Sequence, residues 1–118
     1  MLFLISAKRI ALLMTIYSVT IAIQASIESD WLAWMNKIHI PDVLKTGCFL
    51  RCRFSKGLGS EGEEVTYVLQ YDCRSLAEYH RYRDNFAPAL QKEHTDRFAG
   101  KFRGSRQVLE EIVVIEAS

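Results

Sequence analysis

Residues 15–23 read Thr15-Ile16-Tyr17-Ser18-Val19-Thr20-Ile21-Ala22-Ile23. Tyr17, Val19, Ile21 and Ile23 fall on one face of an extended chain; Ser18, Thr20 and Ala22 fall on the other. A period of two with β-branched residues marks a half-buried strand. A second reading competes for the same residues. Lys8 and Arg9, the apolar run 10–23 and then Gln24-Ala25-Ser26 resemble a signal peptide with a small residue at the cut. That run is too short to span a membrane. It also alternates, which a signal core does not do, and its removal would delete the first strand of the pattern below. The expectation is therefore a strand, with Met14 as the natural start and residues 1–13 as an N-terminal extension outside the fold.

Outward from this strand the patterns keep a fixed order. Ile27, Trp31, Trp34, Met35 and Ile38 make one helical apolar stripe, with Ser26 or Ser29 as the cap. Pro41 disfavours helical geometry at Ile40, so the helix is expected to break around His39. A short second turn from Asp42 to Thr46 then closes at Gly47. Strands are expected at 48–54 and 65–71, joined by a flexible hairpin loop over 56–62. Ser75 and Glu78 form a capping box opening the second helix. Pro88 interrupts that helix, Asn85 can recap it, and Gly100 ends it. A fourth strand is expected at 108–115, with 101–107 as lead-in. The order β-α-β-β-α-β predicts an α+β, ferredoxin-like sandwich over residues 14–118. It would be a single domain whose four-stranded antiparallel sheet carries two helices on one face.

The chain has 118 residues, 49% of them hydrophobic, enough to bury a core without metal or disulfide staples. A net charge of +1 gives no push toward nucleic acid or an anionic membrane, and neither partner is expected. The 3 cysteines include no CxxC and no zinc spacing. They read as reduced thiols of a cytoplasmic protein, with no metal and no cofactor expected. Cys48 and Cys52, on one face of the expected strand, would lie roughly 13 Å apart, too far to bridge.

Gly57-x-Gly59-x-x-Gly62 matches a dinucleotide fingerprint by letter only. That fingerprint needs a helix after it, whereas a strand follows here, and Glu63 and Glu64 would repel phosphate. His39, at the expected helix break, is the candidate acid–base group, because histidine titrates near neutrality. The alternative is a helix-end residue satisfied by a carbonyl. His80 and His94 read as helix-surface residues. Trp31, Trp34 and Tyr71 belong to an aromatic set that is mostly core and supplies the candidate ligand-binding walls. The stripe of Trp31, Trp34 and Ile38 should face the sheet and bring His39 to the rim of a cavity. Arg51, Arg53, Lys101, Arg103 and Arg106 fit an anion-binding patch and edge-protecting charge equally well.

Several blocks resemble a small bacterial family, the domain-of-unknown-function family 4286. They are Trp31-x-x-Trp34-Met35, His39-Ile40-Pro41-Asp42-Val43, Thr46-Gly47-x-Phe49 and Thr66-Tyr67-x-x-Gln70-Tyr71. Tyr79-x-x-Tyr82, Ala87-Pro88-Ala89-Leu90, Arg97-Phe98 and the opening Met14-x-Ile16-Tyr17-x-Val19 also fit, so the resemblance covers about residues 14–109. It implies a ferredoxin-like, dimeric α/β-barrel type of domain and no established activity. The expected function is a small homodimer, ligand-binding or non-catalytic. One alternative is a cofactor-free barrel enzyme acting on a small apolar or aromatic molecule through His39. Another is a protein-interaction module using the helix-free sheet face, on which Ile16, Ser18, Thr20, Thr66, Val68 and Gln70 look too apolar to stay wet. Barrels of this kind can take haem, with His39 or His94 as the iron ligand, although no pattern here selects it.

Overall fold

The computed structural model describes residues 12–59 and 62–118. The expected extension 1–13 falls almost wholly outside them. Four strands form one antiparallel sheet in the order β2-β3-β1-β4: β1 (Thr15–Gln24), β2 (Arg51–Lys56), β3 (Glu64–Cys73) and β4 (Phe102–Glu110). The first crossover holds a 3₁₀ turn (Ala25–Ile27), α1 (Glu28–Trp34), a π-helical turn (Met35–His39) and α2 (Ile40–Lys45). The second holds α3 (Leu76–Asn85) and α4 (Ala87–Phe98). This is the α+β, ferredoxin-like architecture, with the helical layer on one face of the sheet.

The alternation in β1 fixes the register. Tyr17 pairs with Tyr71 and Val108, and Ile21 with Tyr67 and Gly104. The face carrying Tyr17, Val19, Ile21 and Ile23 packs under the helices, where it meets Trp31, Met35 and Val43. A one-residue slip would turn that whole set to the other face.

The first helix departs from expectation, and the departure builds the site. It does not break at His39. His39 and Ile40 keep helical φ/ψ, and the chain runs on through Pro41 into α2. Proline removes one ladder donor and crowds the carbonyl four residues back. The π turn absorbs both effects, because the Ile40 N–H reaches back five residues to the Met35 carbonyl. The wider turn also re-phases the stripe. Ile38, expected to face the sheet, is 43% exposed, and His39 takes the inward position. Neither Ser26 nor Ser29 caps the helix, since the 3₁₀ turn feeds it directly.

Other boundaries moved for stated reasons. β2 begins at Arg51 rather than Cys48, because residues 46–50 turn the chain and bury Cys48 and Phe49 first. β4 spans 102–110 rather than 108–115. Phe102 pairs with Ile23, so the pairing length of β1 runs out at Glu110 opposite Thr15. Its polar side chains suit an edge strand, where backbone pairing rather than burial defines the element. Ser75 caps α3 by accepting from the Glu78 N–H (3.3 Å), while the Glu78 carboxylate turns to Arg81 instead of closing the box. Asn85 donates to the Arg81 carbonyl and does not recap α4. The chain bends at Phe86, and Gly100 (φ +75°) ends α4 as expected.

The helix-free face is more polar than its two central strands suggest. The outer strands add Arg51, Arg53, Arg103 and Gln107 beside Ile16, Ala22 and Val68. Arg53 donates two hydrogen bonds to the buried Asp72 carboxylate (2.9 and 2.6 Å), Arg51 joins at 3.5 Å, and Arg103 pairs with Glu64. These arginines are paired within the sheet and do not converge on an anion site. Among the described residues no helix is long and apolar enough to cross a membrane.

Candidate functional site

The re-phased helix places Met35 and His39 over the middle of the sheet, opposite Val19, Ile21, Leu69 and Tyr71. The bend at Phe86 re-aims α4 so that Gln91 and His94 come down on the same region. Between the layers they leave a cavity of about 50 Å³. The polar residues of its lining are Tyr17, Tyr71, Tyr82, Gln91, Thr95, His39 and His94, with the exposed Arg106 of β4.

The two imidazoles are held differently. The His94 ring is only 6% exposed and accepts a hydrogen bond at Nε2 from the Trp31 indole N–H (2.9 Å). Phe102 meets it edge-on, with ring centroids 4.4 Å apart. With Nε2 occupied as an acceptor, the neutral ring carries its proton on Nδ1. His39 stacks on Trp34 (5.2 Å, 25°) and meets His94 edge-on at 5.8 Å. Its Nδ1 is buried and has no hydrogen-bond partner among the described residues. A buried polar atom left unpaired costs about 1–3 kcal/mol, so this nitrogen is an open valence of the site.

Burial decides the protonation states. It pushes His39 down to about 4 against a smaller upward pull from Asp42. It pushes His94 down to about 4, with His39 and Arg106 adding to the effect. Both rings are neutral at pH 7. Burial raises Tyr17, opposed by the nearby Arg106, and also raises Tyr71 and Tyr82, so all three hydroxyls stay protonated. The interior is uncharged but rich in donors and acceptors, with one guanidinium at its edge.

Gly104 shapes the cavity. It lies on the helix-facing side of β4 with an ordinary strand φ, and a Cβ there would meet the Thr20 carbonyl oxygen at 3.4 Å and Ile21 Cγ1 at 3.8 Å. Both are van der Waals contacts, so a Cβ fits at 104, on the side of β4 that lines the hollow.

Of the residues singled out from sequence, His39 and Tyr71 line the cavity. Trp34 is buried behind His39 and Trp31 behind His94, and neither lies in the lining. His94 was expected on the helix surface and is instead a wall of the site. The signal was present: Ala87, Leu90, His94 and Phe98 continue a helical stripe once Pro88 restarts the turn count. Gln91 follows from that same stripe. Gly104 was hidden in the segment read as a lead-in, and Arg106, in the same segment, was read as part of an anion patch or as edge-protecting charge. Among the described residues no group of three or more His, Cys, Asp or Glu is placed to hold a metal ion.

A family model described as "Domain of unknown function (DUF4286)" matches residues 14–112. No curated protein matches the chain. Among solved structures it resembles SnoaB, a cofactor-independent oxygenase from Streptomyces nogalater, with TM-score 0.66 and 8% identity over 87% of this chain and 98% of that one. It also resembles the heme-degrader MhuD from Mycobacterium tuberculosis, with TM-score 0.59 and 16% identity over 86% and 99% of the two chains. A dimeric ferredoxin-like protein from an uncultured marine organism aligns with TM-score 0.54 and 13% identity over 86% and 99%. At these identities the likeness is one of fold.

Proposed function

We propose, for a chain that belongs to the DUF4286 family of domains of unknown function, that it binds a small apolar molecule of a few heavy atoms between its helices and its sheet. The observation that carries this reading is the unpartnered Nδ1 of His39, buried at the wall of a cavity whose other polar groups converge on the same space. A neutral imidazole can donate to or accept from a ligand hydroxyl or carbonyl. The aromatic and aliphatic walls would hold the rest of the molecule. With its conjugate acid near 4, His39 is a weak base at neutral pH, which favours binding over an acid–base role. The enzymatic alternative keeps one support: this fold also serves a cofactor-independent oxygenase, SnoaB.

Haem does not fit these residues. A cavity of about 50 Å³ is far below the macrocycle's size, and His94 Nε2 is already engaged by Trp31. A homodimer joined through the helix-free face is proposed on the mixed composition of that face around Val68 and on the dimeric description of a neighbour of like fold. The free thiols of Cys48, Cys52 and Cys73 fit a cytoplasmic setting.

Native mass spectrometry of protein purified from its own host, beside the Gly104→Leu variant, tests the binding reading. The wild type should carry an added mass that the variant lacks, with melting temperatures alike. An unliganded wild type from its own host, or the same adduct on both proteins, would count against the cavity.

A further inference from the structure

Arg106 stands apart from the other arginines of the sheet. It pairs with Val19 in the register of β4 on β1, so its side chain leaves the edge strand on the helix-covered side. Arg51, Arg53 and Arg103 lie on the open face, each beside a carboxylate. Among the described residues Arg106 has no carboxylate within ion-pair distance. Among those residues it is also the one charged group of the cavity lining, which holds no acidic residue and two neutral imidazoles.

The exposed members of that lining are Thr95 on α4 and Gly104 and Arg106 on β4, so the cavity opens between α4 and the edge strand. The Arg106 guanidinium and the Gln91 amide both lie beside the Tyr17 hydroxyl. All three groups can donate hydrogen bonds, and a guanidinium fork matches the two oxygens of a carboxylate. A positive charge at the mouth of an uncharged, low-dielectric hollow attracts an anion more strongly than it would in open water. The hollow behind it is small. About 10–15 Å³ holds one water-sized group, so about 50 Å³ takes a stem of about three or four carbons.

We infer that the molecule held here is a short-chain carboxylate, with its carboxylate at the α4–β4 opening on Arg106, Tyr17 and Gln91 and its stem in the hollow between Met35 and Ile21. The inference rests on the cavity-binding reading above and adds the charge and the orientation of the ligand. A hydroxyl or carbonyl oxygen on that stem is the partner that His39 Nδ1 lacks.

Titration of the full isotope-labelled chain, followed by its amide NMR signals, tests this with butyrate, n-butanol and n-butylammonium, which share a propyl stem. Butyrate should shift the Gln91 side-chain amide signals and bind about tenfold or more tighter than n-butanol, and n-butylammonium should not bind. Arg106→Gln should bring butyrate down to the level of n-butanol and leave n-butanol unchanged, and Arg106→Lys should restore part of the preference. Arg106 is exposed, so both variants should fold like wild type, as checked by far-UV circular dichroism. Binding of n-butanol as tight as that of butyrate, or a butyrate preference that survives Arg106→Gln, would overturn the carboxylate and leave the cavity-binding reading in place. The second of these results would make Arg106 a guard of the edge strand. Signals of the cavity residues that move with none of the three compounds would sink both.

Discussion

Replacing His94 by Gln should make the protein less stable at pH 7 and yet less sensitive to acid. The glutamine oxygen can still accept the Trp31 indole N–H, now 2.9 Å from His94 Nε2, but it cannot titrate. At pH 7 the variant loses the ring's packing against Phe102 and Trp34, a cost of about 1–2 kcal/mol. Acid changes the balance. The folded His94 titrates at about 4 because burial disfavours its cation, whereas the unfolded residue titrates near 6.5. Between those values the unfolded chain binds the extra proton, so wild-type stability rises with pH. The contribution is whole above about pH 6.5 and falls away as pH drops toward 4. From pH 7 to pH 5 a single histidine shifted this far costs the wild type about 2 kcal/mol. The variant escapes that loss, so its deficit should shrink by about the same amount and can vanish at pH 5. Urea unfolding followed by circular dichroism at both pH values measures it. A deficit that is equal at the two pH values would refute the reasoning and mean that His94 titrates as an exposed ring.

Further outcomes follow from the same contacts. His39→Leu should hold or raise the stability of ligand-free protein, by about 1 kcal/mol, because it removes a buried unpaired nitrogen, while abolishing any ligand adduct; chemical denaturation and native mass spectrometry check the two signs. Asp72→Asn should destabilise by about 2 kcal/mol in a thermal melt, since the buried carboxylate holds Arg53 by two hydrogen bonds and Arg51 beside it. Val68→Arg should weaken association in light scattering with helix content unchanged, if the sheet faces pair.

The strands were legible wherever burial on one face writes a period of two. Residues 15–23 gave the central strand directly, and with it the order of elements. The first helix was misread at a single point, Pro41. The expectation that Pro41 disfavours helical geometry at Ile40 failed, since Ile40 is helical (φ −61°, ψ −46°); a helix has two responses to the ladder bond that a proline removes. It can end, or it can widen into a π turn and continue, and only packing against the sheet selects between them. The choice matters because it exchanges Ile38 for His39 on the inner face. β4 was displaced because an edge strand need not be apolar; its register is dictated by the length of β1, a fact held elsewhere in the chain. The site was therefore half legible. His39 and Tyr71, singled out by residue type and position, line the cavity. Trp31 and Trp34, expected among the ligand-binding walls, stand outside the cavity lining against His94 and His39. His94 was missed because it was read as a helix-surface residue, although Ala87, Leu90, His94 and Phe98 share one helical stripe.

The central claim is that His39 Nδ1 meets a bound molecule. A crystal structure at about 1 Å resolution, from protein purified from its own host, examines that atom directly. The account predicts non-protein density larger than a water in the cavity, with a polar atom about 2.6–3.2 Å from His39 Nδ1. Density for a lone water at that nitrogen, or a bond from it to another protein group in a closed interior, would contradict the account.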